Sequence, residues 1–173
     1  MGTKNTRSKN NVLFYKNYNS YRVNNNNICI NCPSRIFHLD EIINFGIGNI
    51  NSGKLFILPT FNNINKIINV LSKEYTEITG LDLLENVYIT ALVKCIPDKD
   101  YNTYKQSIQY CNKFLKHEIN RVKFRSIIYL YTDIRYYIDD CIYPQIQIIL
   151  NYNNTRQYNN FRTLFANAIN SFI

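Results

Sequence analysis

The chain has 173 residues, of which 46% are hydrophobic and 18% are charged. This length and composition predict one folded domain with a buried core, and they exclude a disordered chain. Lysine and arginine outnumber aspartate and glutamate by 20 to 12, which gives a formal net charge of +8. Such a balance favours an anionic partner, nucleic acid ahead of an anionic membrane surface, although it can also serve only to keep a protein soluble.

Asparagine, isoleucine, tyrosine and lysine are over-used, and tryptophan is absent. Because those four residues have AT-rich codons, the bias indicates an AT-rich genome, such as that of a virus or phage. No apolar run reaches the length of a membrane span, and no apolar signal segment stands near the start of the chain. We therefore expect a soluble intracellular protein with no membrane partner, in the host cytoplasm or nucleoid if it is viral.

Residues 1–28 carry five basic residues and no acidic one, and four aromatic residues are interspersed with them. One interpretation is a basic arm that lies along phosphates and stacks on unpaired bases. The other is a solvated tail with some aromatic side chains docked on the body of the protein. We treat this arm as separate from an α/β domain over residues 29–173.

Within that domain, strands are indicated by β-branched or continuous apolar runs, and helices by apolar residues at helical spacing. The predicted strands are 55–58, 87–94, 126–131 and 145–150. The predicted helices are 64–75, 103–120, 133–141 and a C-terminal helix around 161–169, and 35–44 is predicted to be a short helix or a turn. Strands that alternate with helices in this way predict an α/β fold, a three-layer α/β/α sandwich around a four-stranded parallel sheet.

Ligands of such sheets bind at the carboxyl ends of the strands. In this chain that edge is expected near Pro59, Cys95, Tyr131 and Asn151.

Five cysteines in a chain without a signal segment argue for metal binding, redox chemistry or burial rather than a secreted disulfide framework. Cys29 and Cys32 form a C-x-x-C pair, Cys95 ends a predicted strand, and Cys111 lies on the apolar stripe of the next helix. Four thiolates satisfy either tetrahedral zinc or a cubane iron–sulfur cluster. The alternative is four unrelated core cysteines. Cys141 is expected to be a small buried hydrophobe.

The order of these motifs resembles that of the iron–sulfur uracil-DNA glycosylases. Those proteins read C-x-x-C, a segment like F-G-E-G-N, a strand leading into G-E-A-P-G, V-Y-I-T-N-V-V-K-C-R-P, a further cysteine about sixteen positions on, and a late H-P-S loop. The corresponding segments of this chain are 29–32, 45–49, 54–57, 87–97 and 111–115. The resemblance implies a [4Fe-4S] cluster ligated by Cys29, Cys32, Cys95 and Cys111, with zinc as the alternative, and DNA as partner.

The residues that carry catalysis in that family are replaced here. The segment 58–62 (Leu-Pro-Thr-Phe-Asn) stands where G-E-A-P-G is expected, so the carboxylate is missing. Ala91 replaces the asparagine that reads uracil, and 153–155 (Asn-Asn-Thr) replaces the histidine loop. A missing oxyanion donor of this kind lowers the rate by about 10²–10³-fold. We therefore expect a degenerate base-excision site.

The lead hypothesis is a DNA-binding member of the superfamily that acts as an accessory subunit in viral DNA replication, repair or transcription, with a viral replication or transcription protein as a further partner. The first alternative is an active glycosylase with altered catalytic residues, and the second is a protein-interaction module that binds no DNA. The candidate site residues are Asn62 and Asn153 as substitute polar groups for catalysis, and Lys54, Phe61, Arg156 and Arg162 for nucleic-acid binding.

Overall fold

The computed structural model describes residues 31–33, 46–61, 64–94, 101–121, 124–130, 145–148 and 154–171. The predicted arm over 1–28, the predicted short helix or turn over 35–44 and the predicted helix over 133–141 lie outside these ranges. None of the described helices is both long and apolar enough to cross a membrane.

Five strands and four helices make up the described part of the chain. In order they are β1 (Ile47–Gly48), β2 (Lys54–Thr60), α1 (Ile64–Thr79), α2 (Leu83–Asn86), β3 (Tyr88–Val93), α3 (Tyr101–Arg121), β4 (Ser126–Tyr129), β5 (Gln145–Gln147) and α4 (Thr155–Asn170). Helix α1 ends at Gly80, which has a φ of 70° and whose amide donates to the Thr76 carbonyl. Two helices begin at side-chain caps, α2 at Asp82 and α4 at Asn154. The predicted α/β class is confirmed.

The sheet is mixed, with the strand order β1-β3-β2-β4-β5. Strand β2 pairs in parallel with both β3 and β4, and β4 pairs in parallel with β5, whereas β1 pairs antiparallel with β3. The sequence pattern did not predict β1, because a two-residue strand that contains a glycine shows no alternation. Gly48 has a φ of 96°, and a β-carbon there would come within 2.2 Å of the Val87 carbonyl oxygen, so this position requires glycine.

The central strands are apolar on both faces. Leu55 and Ile57 of β2 belong to a buried cluster shared with α3, and Phe56 and Leu58 belong to a second cluster shared with α1 and α4. Alternate residues of a strand point to opposite faces of a sheet, so helices cover both faces of β2. Each large apolar side chain buried in this way contributes roughly 1.5–3 kcal/mol. The central strands therefore hold the carboxyl edge of the sheet in a fixed position.

Candidate metal centre and nucleic-acid interface

The structure describes two of the four predicted ligand cysteines, and both are buried. Cys32 is 4% exposed and Cys111 is 6% exposed. Cys111 belongs to the same apolar cluster as Leu92 and Val93, the last residues of β3. The apolar stripe of α3 therefore holds this thiol on the face of the sheet that α3 covers.

A metal site made from these thiols also requires Cys29 and Cys95, which lie outside the described residues. Within the described ranges, no group of three or more metal-ligating side chains comes together. The two buried thiols fit the soft, water-excluded donor set that zinc or an iron–sulfur cluster takes. The four-cysteine site stays a prediction.

A buried charge cluster joins the end of β3 to α3. The Lys94 ammonium donates to the Glu118 carboxylate and to the Thr90 hydroxyl. The other donors to Glu118 are the Thr90 hydroxyl at 2.9 Å and the Tyr88 hydroxyl at 3.1 Å. The side chains of Lys94 and Glu118 are 1% and 0% exposed. Both charges are thus paired and hydrogen-bonded in a site that excludes water, the condition under which buried charges are tolerated.

This cluster was not predicted from the sequence, although one signal for it exists. Glu118 lies seven residues after Cys111 and three after Leu115, so it continues the buried stripe of α3. A carboxylate on a buried stripe requires a cation opposite, and Lys94 directly follows the six buried residues of β3. The Tyr, Thr and Lys of the 87–97 segment therefore have a structural role here that does not depend on a substrate.

The carboxyl end of β2 faces α3 and the apolar core. The Tyr104 hydroxyl of α3 donates to the Pro59 carbonyl at 3.4 Å. Phe61, the predicted base-stacking residue, is buried and belongs to the apolar cluster on the α1 and α4 side of the sheet. Its ring is a core side chain in this structure, and stacking on a base stays a prediction.

Lys54, a predicted phosphate contact, lies at the opposite end of β2. Its ammonium is 3.5 Å from the Tyr75 hydroxyl and 5.9 Å from the centroid of the Tyr75 ring. Phe61 follows Lys54 by seven positions along β2, and at the rise per residue of a strand this corresponds to about 23 Å. The structure therefore does not bring these two predicted residues into one site.

Arg162, the second predicted phosphate contact, is bound by two carboxylates that join α4 to α1. Its Nε lies 2.6 Å from Glu74 Oε2, and its Nη2 lies 2.6 Å from Glu77 Oε2. The Tyr158 hydroxyl donates to the second oxygen of Glu74. This hydrogen bond, burial and the Glu74 charge raise the pKa of Tyr158 above its usual value of about 10. A guanidinium held this way has part of its charge neutralised before any phosphate approaches.

Arg156 lies in the first turn of α4 and is exposed. The helix begins at Asn154, whose side-chain oxygen accepts from the Gln157 amide at 2.9 Å. Asn154 is the middle residue of the segment that replaces the H-P-S loop, and here it caps a helix. The other two candidates, Asn62 and Asn153, lie outside the described residues.

No protein-family model matches the chain, and no curated protein sequence matches it significantly.

Proposed function

We propose that this chain is a DNA-binding iron–sulfur protein of the uracil-DNA glycosylase superfamily whose base-excision site is degenerate. It would act as an accessory subunit in viral DNA replication, repair or transcription. The observation that carries the proposal is the buried thiol of Cys111, on the inner side of α3 and in one cluster with the last residues of β3. In the motif order described above, this is where a cluster ligand is expected.

The spacing of the chain supports a shared ligand sphere. Cys95 follows Val93, the last residue of β3, by two residues in the sequence. Cys111 and Val93 belong to one buried cluster. Four thiolates from Cys29, Cys32, Cys95 and Cys111 would supply the donor set of a [4Fe-4S] cluster, with zinc as the alternative.

The finer architecture is part of the proposal. The parallel pairing of β2 with β3 and β4, together with apolar clusters on both faces of β2, supports a three-layer α/β/α sandwich with a parallel four-stranded core. Such folds bind ligands at the carboxyl edge of the sheet. In the sequence, Cys95 follows the end of β3, and the segment 58–62 includes the end of β2.

Loss of excision activity follows from the side chains on β3. Ala91, where the family carries its base-reading asparagine, is fully buried and belongs to the apolar cluster on the α1 and α4 side. A methyl group can neither read the Watson–Crick edge of a flipped base nor stabilise charge on it. The polar residues on either side of Ala91 in the motif, Thr90 and Lys94, are used in the buried charge cluster.

A glycosylase assay tests this part of the proposal. We expect no release of uracil or hypoxanthine from single- or double-stranded oligonucleotides under conditions in which the protein binds the same DNA. Robust turnover would instead support an active enzyme with altered catalytic residues. If no DNA binding is detected at any salt concentration, a protein-interaction module is supported instead, because phosphate contacts predict binding that falls steeply as the salt concentration rises.

Cysteine variants test the ligand set. Cys111→Ala removes a proposed ligand, and Cys141→Ala is the matched control, because Cys141 stands outside the set. After anaerobic purification, we expect the first variant to lose most of its iron and visible absorption and the second to keep both. Equal iron content in the two variants would contradict the ligand assignment.

A further inference from the structure

Residues 101–130 are a strongly basic stretch of the sequence. This stretch contains six lysine and arginine residues and one acidic residue, Glu118. Over the whole chain the formal net charge is +8, so this segment of 30 residues supplies more than half of it.

The one carboxylate of the segment is withdrawn from the surface. Glu118 is fully buried and is paired with Lys94 of the β3 end. Its charge is therefore compensated inside the protein by Lys94.

The exposed side chains of α3 are all basic or amide-bearing. Within the described side chains of this helix they are Asn102, Lys105, Gln106, Gln109, Lys113, Lys116 and Asn120. Lys113 and Lys116 are three residues apart and so are neighbours on the helix surface. Arg125, also exposed, follows the helix just before β4, and its amide donates to the Gly53 carbonyl at 2.7 Å.

We propose that the outer face of α3, continued by Arg125, binds the phosphate backbone of duplex DNA. This inference rests on the DNA-binding function proposed above and identifies the surface that carries it. Lysine, arginine and side-chain amides are the groups that donate to phosphate oxygens. No aromatic side chain is among the exposed described residues of α3, whereas single-strand binders use aromatic platforms for the bases. Duplex backbone is therefore the fitting partner.

This surface extends to the opposite end of the sheet from the proposed excision site. Strands β3 and β4 both run parallel to β2, so α3 leads from the carboxyl end of β3 to the amino end of β4. Arg125 lies at the amino edge, where its amide donates to the Gly53 carbonyl, and Lys113 and Lys116 lie in the half of α3 that leads to it. Lys54 stands at the same edge, because its partner across the strands is Ser126. DNA held here is bound independently of any base at the carboxyl edge.

A pair of matched double variants tests the inference in the full-length protein. The variant K113Q/K116Q neutralises two neighbouring lysines of α3, and K66Q/K73Q neutralises two exposed lysines of α1. Both lower the net charge equally. The probe is a short duplex of random sequence, and its affinity is measured over a range of salt concentrations.

The loss of two phosphate contacts should make the slope of the logarithm of the association constant against the logarithm of the salt concentration shallower by about 1.8. It should also weaken the affinity at about 0.1 M salt on the order of 50-fold. We expect this for K113Q/K116Q, a further reduction when R125Q is added, and little change for K66Q/K73Q. Equal losses in the two doubles would overturn the inference, since binding would then follow total charge alone. A larger loss with a single-stranded probe than with the duplex would also overturn it. Wild-type protein that binds no DNA at all would instead remove the proposed function itself.

Discussion

The two charge clusters found among the described residues differ in how much water reaches them. On the α3 side of the sheet, Lys94 and Glu118 are 1% and 0% exposed. On the α1 and α4 side, Arg162 is 46% exposed and bridges Glu74, which is buried, to Glu77, which is 45% exposed. Both clusters join a helix to another element, but only the first is fully removed from solvent.

This difference decides what each ion pair contributes. Removing one member of a fully buried pair leaves a charge that water cannot reach, whereas an exposed partner is solvated again at once. The first cluster therefore fixes how α3 sits on β3, and with it the position of Cys111. The second joins two helices on the surface and tolerates change.

The largest expected effect is that of Glu118→Gln. This change leaves the Lys94 ammonium buried without its counter-charge and should lower the free energy of unfolding by about 3–5 kcal/mol. Chemical denaturation monitored by circular dichroism measures it. The double variant K94M/E118M, which removes both charges, should recover much of the loss; a double as unstable as the single would contradict this account of the pair.

A smaller effect is expected for Glu74→Gln. Glu74 accepts from both Tyr158 and Arg162, and a glutamine keeps part of this hydrogen bonding. Because Arg162 also retains Glu77 and access to water, the free energy of unfolding should fall by about 1–2 kcal/mol. The same denaturation experiment on Glu77→Gln provides the exposed control, for which a change within ~0.5 kcal/mol is expected. A loss for Glu77→Gln as large as that for Glu74→Gln would show that burial does not distinguish the two carboxylates.

The pH dependence of stability tests the hydrogen bond between Tyr158 and Glu74. The pKa of Tyr158 is raised in the folded protein, first by its hydrogen bond to Glu74. Its protonated form is therefore favoured by folding, so its contribution is complete below about pH 10 and is lost as the pH rises through the folded-state pKa. Burial also raises the pKa of Tyr75, so the informative quantity is the difference between wild type and Tyr158→Phe. That difference should shrink as the pH rises above about 10; a constant difference would contradict the assignment.

The smallest expected effect is on the stability of the α3 lysine variant. Lys113 and Lys116 are exposed, so K113Q/K116Q should change the free energy of unfolding by no more than ~0.5 kcal/mol. Thermal unfolding of both double variants measures it, and a much larger loss would mean that these side chains are part of the packing of α3.

The sequence predicted the α/β class, the strands β2 to β5 and the helices α1, α3 and α4, because β-branched runs and helical periodicity depend on local patterns. Helix α2 was not predicted, because its four residues are too few to show a helical period. Strand β1 was missed because two residues carry no period. The Lys94–Glu118 pair was missed because the two residues lie 24 positions apart in the sequence. A glutamate on a helix is usually exposed to solvent, and only its position on the buried stripe of α3 indicates otherwise. The two carboxylates that bind Arg162 lie 85 and 88 positions away in the sequence. The residues around Arg162 therefore could not show that its guanidinium is already paired.

The most direct test of the iron–sulfur proposal is the metal content of the wild-type protein after anaerobic purification. The account predicts a brown protein with visible charge-transfer absorption and about four iron atoms and four sulfides per chain. A colourless protein that contains zinc, or no metal, would contradict it.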